Sequence, residues 1–330
     1  MTSLLYRAER YASRILTPAP AILMYHRVSR PRFDPWGLAV SPEDFDAQIA
    51  WLASHRWPLP MDDFVAGLRK GRLPRKAVAV TFDDGYVDNL THAKPALARH
   101  AIPATLFLTT DHVAGGARFW WDRLADALFA STTAADWTLS VGGETVRLKW
   151  EATTVADHLW RAWEQPSGPR EAVYLATWTA LQRLPLAARE EVLAQIEDRH
   201  PTQPEPDSRA MTSDEVRALV ADGLVTLGGH SRSHPALTSL DASDLRRELA
   251  GSRDVCTSLQ GRPVAGFAYP YGDMDEFVRT ETAAAGYAWA CSTESTAVPT
   301  EVAGEQFYSL PRIVPPPQGA AALAKVLRRL

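Results

Sequence analysis

Two adjacent carboxylates, Asp83 and Asp84, follow an apolar stretch at residues 77–82 and precede Gly85. A continuous apolar run without alternation is typical of a strand buried on both faces, as in a parallel sheet covered by helices. The carboxylates then lie at the carboxyl end of that strand, the edge at which α/β folds place their chemistry. Because Gly85 lets the backbone turn, we expect both side chains to converge on one pocket. Two anions this close repel each other, and a divalent cation beside them would relieve the repulsion.

Two histidines four residues apart, His230 and His234, could supply the remaining ligands of such a cation. If their loop enters a helical turn, both imidazoles face the same way and can bind one ion. With one carboxylate they form a His-His-Asp face that leaves positions open for water, as in a catalytic site. The second carboxylate would then be free to accept a proton from water. Taken alone, an Asp-Asp-Gly sequence is typical of a turn in which both carboxylates accept backbone N–H groups.

Three further residues lie at predicted strand ends. His26 could protonate a leaving amine, although a core histidine bonded to a carbonyl fits the sequence nearly as well. Tyr271 lies in a Pro-Tyr-Gly turn whose backbone N–H groups could bind an oxyanion, or the turn could simply end a strand. Arg312 interrupts an apolar strand, which indicates pairing with a buried acid.

The elements that would hold these side chains repeat as strand and helix. Besides the central strand, strands are predicted at residues 21–28, 102–108, 223–230, 264–269, 287–292 and 309–314, with helices between them. Seven such units predict one α/β domain over residues 1–330, in which parallel strands form a closed or nearly closed barrel. Every candidate site residue outside the last strand then lies near the carboxyl end of a strand.

The alternation of strand and helix stops at about residues 115–209. This stretch contains seven of the eleven tryptophans, a predicted hairpin at residues 141–148, and helical segments near residues 155–163 and 170–200. We interpret it as an insertion that follows the third strand and overhangs the site. Tryptophans at this density are more often core or subunit contacts than platforms for sugar rings.

Composition narrows the classes of function. A net charge of −4 offers no electrostatic footprint for nucleic acid, and 46% apolar residues suffice for a large core. Cys256 and Cys291 follow no metal-ligand or disulfide spacing. Without a signal-peptide or membrane-spanning run, a cytoplasmic protein is expected. The basic amphipathic ends, residues 3–16 and 320–330, either cap the barrel or contact the inner membrane surface peripherally.

Three motifs follow one another along the chain: Thr-Phe-Asp-Asp-Gly-Tyr at residues 81–86, His-Ser-Arg-Ser-His at 230–234, and Phe-Ala-Tyr-Pro-Tyr-Gly at 267–272. With them the chain resembles the polysaccharide deacetylases of carbohydrate esterase family four, also called NodB-homology proteins. The resemblance implies a distorted (β/α)7 barrel and a divalent metal, usually zinc, that assists hydrolysis of an N-acyl group on an amino sugar. Cobalt, nickel and manganese are the alternative metals.

The resemblance also implies roles for individual residues. By position, Asp83 resembles the general base and the Tyr271 backbone N–H group an oxyanion donor. Asp84, His230 and His234 resemble the metal ligands.

Two departures from the family pattern matter. The third motif of the family often has arginine after its phenylalanine, where this chain has Ala268, and we expect Arg312 to supply that cation. The late Leu-x-x-His motif, which provides the general acid in the family, is absent, since no histidine follows His234. His26 is therefore the candidate for the general acid.

The leading hypothesis is a metal-dependent N-deacetylase that acts on an amino sugar of a glycan or glycan precursor. Two alternatives keep the hydrolysis but change the substrate: an O-acetyl esterase, or a deformylase of a lipid-linked sugar at the membrane. A third is an inactive carbohydrate-binding protein whose tryptophans stack on sugar rings.

Overall fold

The structure is a computed structural model that describes residues 18–205, 207–299 and 301–330. The predicted amphipathic segment at residues 3–16 lies outside these ranges. In chain order, the described elements are β1 (Ala21–Tyr25), β2 (Arg27–Val28), β3 (Ala39–Val40), α1 (Pro42–His55), β4 (Trp57–Pro58), α2 (Met61–Arg69), β5 (Ala77–Phe82), α3 (Lys94–Arg99), β6 (Ala104–Leu108), α4 (Trp120–Phe129), β7 (Ala135–Val141), β8 (Glu144–Trp150), α5 (Pro169–Gln182), α6 (Leu186–Arg199), α7 (Ser213–Val220), β9 (Val225–Gly229), α8 (Ala242–Gln260), β10 (Gly266–Ala268), α9 (Glu276–Ala284), β11 (Trp289–Cys291) and α10 (Ala320–Leu327).

A parallel sheet in the order β1-β5-β6-β9-β10-β11 forms most of the barrel. Its two ends are joined by residues 310–313, where Leu310 forms a parallel bridge to β11 and Ile313 another to β1. The seventh segment contributes these bridges instead of the predicted strand at residues 309–314. Pro311 has no N–H group to donate, and the Arg312 amide donates to the Glu294 carbonyl at 3.0 Å. This is the distorted (β/α)7 barrel expected from the sequence.

The register of the central strands brings the candidate residues to one edge. β1 and β5 are buried along their whole lengths, as expected for strands covered on both faces. Tyr25 pairs with Phe82, so that His26 and Asp83 are the next residues on neighbouring strands. Likewise β9 ends at Gly229, which pairs with Leu108 on β6. The carboxyl ends of β1, β5, β6 and β9 therefore meet at the same side of the barrel.

The predicted first strand, residues 21–28, is wrong in its second half. The chain leaves the barrel at His26, and β2 pairs with β3 in a separate two-stranded sheet. The Val28 amide donates to the buried carboxylate of Asp88 at 3.0 Å, and the Arg27 amide donates to the Leu38 carbonyl at 3.1 Å. The amides of Arg27 and Val28 thus bond to groups outside the barrel sheet, and the strand ends just before His26, which lines the pocket.

The expected helix starts are present where the sequence supplies capping groups. Ser41 Oγ accepts from the Asp44 amide at 3.1 Å at the start of α1, and Thr212 and Glu215 form a capping box at the start of α7. Three fully buried apolar side chains attach α1 to the barrel core: Phe45, Ile49 and Leu52. Each contributes about 1.5–3 kcal/mol by leaving water.

Residues 115–209 carry α4, β7, β8, α5 and α6. The hairpin predicted at residues 141–148 is present, with longer strands. The buried apolar side chains of the hairpin and of the three helices pack into one cluster that is separate from the barrel core. This cluster includes Trp120, Leu124, Leu148, Tyr174 and Ile196. We continue to interpret this region as an insertion within one domain.

The helix predicted near residues 155–163 is wrong, because the described backbone there forms turns. The Asp157 carboxylate accepts from the Leu159 amide at 2.9 Å, and the Asp157 amide donates to Glu171 at 2.7 Å. Short polar side chains that bond nearby backbone groups in this way compete with helix formation.

The C-terminal helix α10 packs against α1. Leu323 and Leu327 are buried in the barrel core, whereas Lys325, Arg328 and Arg329 are exposed. Because its apolar face is already covered, this segment fits the barrel-capping alternative better than contact with a membrane. Among the described residues, no helix is long and apolar enough to cross a membrane.

Candidate metal centre and active-site pocket

Three buried side chains that can bind a metal lie together after β5 and β9. Asp84, His230 and His234 each offer a ligand atom within 4.8 Å of the others. Asp84 Oδ1 lies 3.5 Å from His230 Nε2 and 3.4 Å from His234 Nε2. Two imidazole nitrogens and one carboxylate oxygen suit a divalent transition metal and leave coordination positions open. The donor set therefore fits the metal that the family resemblance implies.

The backbone reaches this arrangement through left-handed residues. The helical turn considered at residues 230–234 does not form, since Ser231 and His234 have φ values of 60° and 58°, although both imidazoles still face one site. Ser231 Oγ accepts from the His234 amide at 3.0 Å and holds the loop closed. Asp84 has a φ of 72°, so the turn after β5 begins at Asp84 itself rather than at Gly85. Left-handed backbone costs non-glycine residues about 1–2 kcal/mol each, so surrounding contacts must hold it.

Close packing explains the glycines that flank the ligands Asp84 and His230. A Cβ on Gly229 would lie 2.1 Å from Tyr287 Oη, and one on Gly85 would lie 2.5 Å from Leu108 Cδ1. Both positions therefore exclude a side chain and let β9 and the turn after β5 approach their neighbours closely.

Each histidine is oriented by a different contact. His230 Nδ1 lies 2.7 Å from the Ala268 carbonyl oxygen, a bond that leaves Nε2 directed at Asp84. The His234 ring packs against Trp121 and Tyr271, with centroids 4.8 and 4.5 Å away. His234 Nδ1 has no hydrogen-bond partner among the described residues. A buried nitrogen left in this way is consistent with a ligand that is not part of the chain.

Glu248 on α8 holds the loop that carries these histidines. Its carboxylate accepts from the Arg232 and Ser233 amides at 2.7 and 2.9 Å and from Ser233 Oγ at 2.8 Å. No local pattern indicates this contact, because Glu248 lies on an ordinary amphipathic helix. Such partners of a ligand-bearing loop fix its geometry.

The second carboxylate, Asp83, is paired with Arg312. Arg312 Nη1 donates to Asp83 Oδ1 at 2.6 Å and Nη2 donates to Oδ2 at 2.7 Å. Arg312 Nε also donates to the Ser292 carbonyl at 3.0 Å. Arg312 is fully buried and Asp83 is 2% exposed, so the pair is shielded from water and held in one orientation.

This pairing sets the charge state of Asp83. Burial alone would raise the pKa of its carboxyl group, but the positive charges of Arg312 and His230 and the hydrogen bonds from Arg312 offset burial and hold the pKa below its ordinary value. Asp83 is therefore ionised at neutral pH. An ionised carboxylate that lies beside the metal cluster can accept a proton.

Six of the seven predicted site residues line one pocket of about 420 Å³: His26, Asp83, Asp84, His230, His234 and Tyr271. Arg312 lies behind Asp83 and reaches the pocket only through it. Tyr271 has a φ of 59° in the turn at Pro270–Gly272, and its hydroxyl donates to the His234 carbonyl at 3.4 Å.

The sequence did not identify the remaining wall of this pocket. Its other lining residues are Trp36, Leu38, Trp121, Trp178, Gln182, Tyr269 and Thr293. Trp36 and Trp178 pack together with centroids 4.3 Å apart. The concentration of tryptophans in residues 115–209 was the available signal, but it could not distinguish those that face the pocket from those in the core.

Comparisons with known proteins agree with this geometry. The family model described as polysaccharide deacetylase matches residues 70–133 and 177–290, together more than half of the chain. A poly-beta-1,6-N-acetyl-D-glucosamine N-deacetylase of Staphylococcus aureus is 34% identical over 104 residues, which cover 28% of this chain and 36% of that protein. The corresponding Staphylococcus epidermidis protein is 36% identical over 76 residues, 23% of this chain and 26% of that protein. The matches thus span about a third or less of these relatives.

Solved structures match over nearly the whole chain. A deacetylase of Streptococcus pyogenes in complex with acetate has a TM-score of 0.59 at 17% identity and covers 94% of this chain and 99% of its own. A polysaccharide deacetylase of Bacillus cereus has a TM-score of 0.59 at 18% identity and covers 94% of this chain and 69% of its own. At these identities the likeness concerns the fold. The family match and the arrangement of the three motifs around one pocket lead to the same assignment: this chain belongs to the polysaccharide deacetylase family.

Proposed function

We propose that this protein is a metal-dependent hydrolase that removes an N-acyl group, most simply N-acetyl, from an amino sugar of a glycan or glycan precursor. The observation that carries the proposal is one buried, ionised carboxylate, Asp83, beside the cluster of Asp84, His230 and His234. One carboxylate is free to move a proton while the other can bind a metal. The names of the staphylococcal relatives, which specify N-deacetylation of poly-N-acetylglucosamine, support the same substrate class.

Zinc is the metal we propose for Asp84, His230 and His234, because two imidazoles and one carboxylate match its ligand preference. Cobalt, nickel and manganese can accept the same donors. When bound, the ion would polarise the amide carbonyl and make water a stronger nucleophile.

Different residues of the chain then accept and donate the protons of the reaction. Asp83 accepts a proton from the attacking water, and Arg312 keeps the carboxylate oriented and ionised. The Tyr271 backbone N–H group donates to the amide oxygen as negative charge develops on it. His26, on the neighbouring strand end, donates a proton to the departing amine.

The shape of the pocket fits a sugar ring that carries an acyl group. Its volume of about 420 Å³ lies within the range of small-ligand sites. Trp36, Trp121 and Trp178 give it aromatic faces, which pack well against the C–H faces of a pyranose. Water has less access to the reacting amide once a ring occupies this space.

The direct test is release of acetate from oligomers of N-acetylglucosamine by purified protein. We expect release that stops when a chelator removes the metal and returns when zinc is added. Formylated amino sugars and O-acetylated sugars, assayed in parallel, identify the acyl group. Release that persists in metal-free protein would contradict the proposal.

Three substitutions separate metal binding from proton transfer. Asp83→Asn should retain the metal, measured by elemental analysis, and lose turnover. His230→Ala should lose both. His26→Gln should retain the metal and lower kcat by about 10²–10⁴-fold, the usual contribution of a general acid. Near-normal turnover in His26→Gln would remove it from that role.

We also propose that the protein acts in the cytoplasm. Cys256 and Cys291 are both buried and unpaired, which suits a reducing compartment. Cell fractionation followed by detection of the protein tests this location, and recovery outside the cytoplasm would exclude it.

A further inference from the structure

A second cavity adjoins the metal pocket. Its volume is about 600 Å³, and it lies between α6 of the insertion, the loop after His230 and the start of α8. Gln182 lines both cavities. Ser233, which precedes the ligand His234, is also part of its wall. A molecule in this cavity would therefore lie directly beside whatever occupies the metal pocket.

The acids of this cavity already have donors from the chain. Asp111 accepts from Arg232 at 3.1 Å, and Asp241 accepts from the Asp244 amide at 2.8 Å as the cap of α8. Asp244 is paired with Arg247. Glu248 holds the backbone of the loop after His230. The carboxylates of the wall thus already have hydrogen-bond donors, although those of Asp241 and Glu248 are neutral groups.

Arg189, in contrast, is buried and forms no ion pair among the described residues. Burial lowers the pKa of its guanidinium, and the nearby Tyr271, Glu190 and Glu248 offset only part of that effect. Arg189 is 1% exposed, and its Nη2 donates to the Ser233 carbonyl at 3.4 Å. Its Nε and Nη1 have no hydrogen-bond partner in the part of the chain that the structure describes. Its guanidinium lies over the ring of Trp120, 5.3 Å from the centroid. Buried N–H groups of a cation that lack acceptors are costly, which makes an acceptor from outside the chain favourable.

A second arginine faces the same cavity from its rim. Arg183 is exposed at the end of α5, and no ion pair involves it among the described residues. Arg232 and Arg247 already have acids. The formal charges of the cavity wall therefore balance, and its guanidinium groups without an ion pair among the described residues are those of Arg183 and Arg189.

We propose that this second cavity binds an anionic group of the glycan, a carboxylate or a phosphate, on the unit next to the amino sugar that is deacylated. The inference rests on the proposed function, because it assumes a glycan substrate, but its test measures binding and does not require the enzyme to be active. A guanidinium donates two parallel N–H groups to either anion, which explains why Arg189 is kept buried and otherwise unpaired. The substrate class is thereby narrowed from amino-sugar glycans to acidic ones.

The test measures binding without turnover. Metal-stripped protein is titrated in a calorimeter with three disaccharides in which N-acetylglucosamine is joined to glucose, to glucuronic acid or to glucose 6-phosphate. We expect at least one acidic disaccharide to bind about ten-fold more tightly than the neutral one, a factor typical of a charged group that gains a buried partner. The arm that gains affinity identifies carboxylate or phosphate. Equal affinities, or no measurable binding of the acidic sugars, would overturn the inference.

Substitutions assign the preference to the two arginines. Arg183→Gln should reduce it while leaving affinity for the neutral disaccharide unchanged, and Arg189→Gln should abolish it. Arg147→Gln is the matched control, because Arg147 lies on β8 with its own acid, Asp136, and should leave the preference intact. If Arg189→Gln fails to fold, an unchanged preference in Arg183→Gln would still overturn the inference. If the wild-type protein releases no acetate but binds an acidic disaccharide more tightly than the neutral one, the proposed function is contradicted and this inference is not.

Discussion

Arg312 and Asp83 lie 229 positions apart in the chain, yet their side chains form two parallel hydrogen bonds of 2.6 and 2.7 Å inside the barrel. The contact depends on the segment at residues 310–313, which closes the barrel between β11 and β1. Closure of the sheet thus brings the cation to the carboxylate. Where the family often has an arginine in its third motif, this chain has Ala268, and the cation beside Asp83 comes from the segment at residues 310–313.

Arg312→Lys is expected to lower kcat by about 100-fold while leaving the bound metal unchanged. Lysine keeps the charge but offers no planar pair of N–H groups, so Asp83 loses its fixed orientation. Activity on N-acetylglucosamine oligomers and metal content by elemental analysis check the two parts. A parallel loss of metal would contradict the assignment of Arg312 to Asp83 alone.

A stricter test moves the arginine from position 312 to position 268. Ala268 lies in the same apolar cluster as Phe107, and the guanidinium of Arg312 lies over the Phe107 ring at 5.4 Å. An arginine introduced by Ala268→Arg into the Arg312→Ala protein should therefore restore part of the lost kcat. If the double variant folds and is no more active than Arg312→Ala, the two positions are not interchangeable.

Much of the site could be predicted because strand ends meet at one edge of a parallel barrel. Asp83, Asp84 and His230 each follow an apolar strand directly, and register then brings them together. The pairing of Arg312 with a buried acid was also predictable, because a cation on an apolar strand needs a partner.

The rest depends on contacts that no local pattern reports. The loop that contains the left-handed residues Ser231 and His234 is held by Glu248, a residue of a distant helix, so its backbone could not be predicted from its own sequence. The pocket wall formed by Trp36 and Trp178 depends on how residues 115–209 fold against the barrel. Seven tryptophans in that stretch gave no indication of which ones face the metal.

Glu248→Gln is expected to weaken zinc binding by about 10-fold or more, as changes to groups that orient metal ligands usually do. The amide can accept only through one oxygen, so at least one of the bonds that hold the loop at residues 231–234 is lost. Competition with a chelator of known affinity measures the change.

The matched control is Glu281→Gln. Glu281 on α9 accepts two bonds, both from Arg246 on α8, and forms no hydrogen bond or ion pair with the described loop at residues 230–234. Glu281→Gln should lower thermal stability slightly, through the loss of a partly exposed ion pair, and leave zinc affinity unchanged. Equal zinc affinities in the two variants would assign Glu248 a structural role only.

Trp178→Leu is expected to raise KM by about 10-fold with little change in kcat. Trp178 packs against Trp36 at the pocket wall and contacts no candidate catalytic group except the ring of Tyr271, 5.8 Å away. Loss of an aromatic face therefore removes binding that is the same in the ground and transition states. Trp137→Leu is the control, because Trp137 lies in the same insertion but packs on His200. A KM increase of the same size in both variants would indicate general damage to the insertion.

Glu215→Gln is expected to lower the free energy of unfolding at pH 7 by about 1 kcal/mol, the usual value of a helix cap and a partly exposed ion pair. Glu215 accepts from Arg209 at 2.7 Å on both oxygens and closes the capping box of α7. Hydrogen bonds from Arg209 lower its pKa to about 2.

The pH dependence of this effect has a definite sign. A carboxylate with a lowered pKa in the folded state stabilises the fold above the pKa of the unfolded chain and loses that contribution as pH falls toward 2. The difference in unfolding free energy between wild type and Glu215→Gln should therefore be constant from pH 7 to about 5 and shrink between pH 5 and 2. Urea titrations across this range measure it, with Glu191→Gln on the exposed face of α6 as a control that should show little difference. If the difference in unfolding free energy between wild type and Glu215→Gln stays constant down to pH 2, the ionised carboxylate of Glu215 does not stabilise the start of α7.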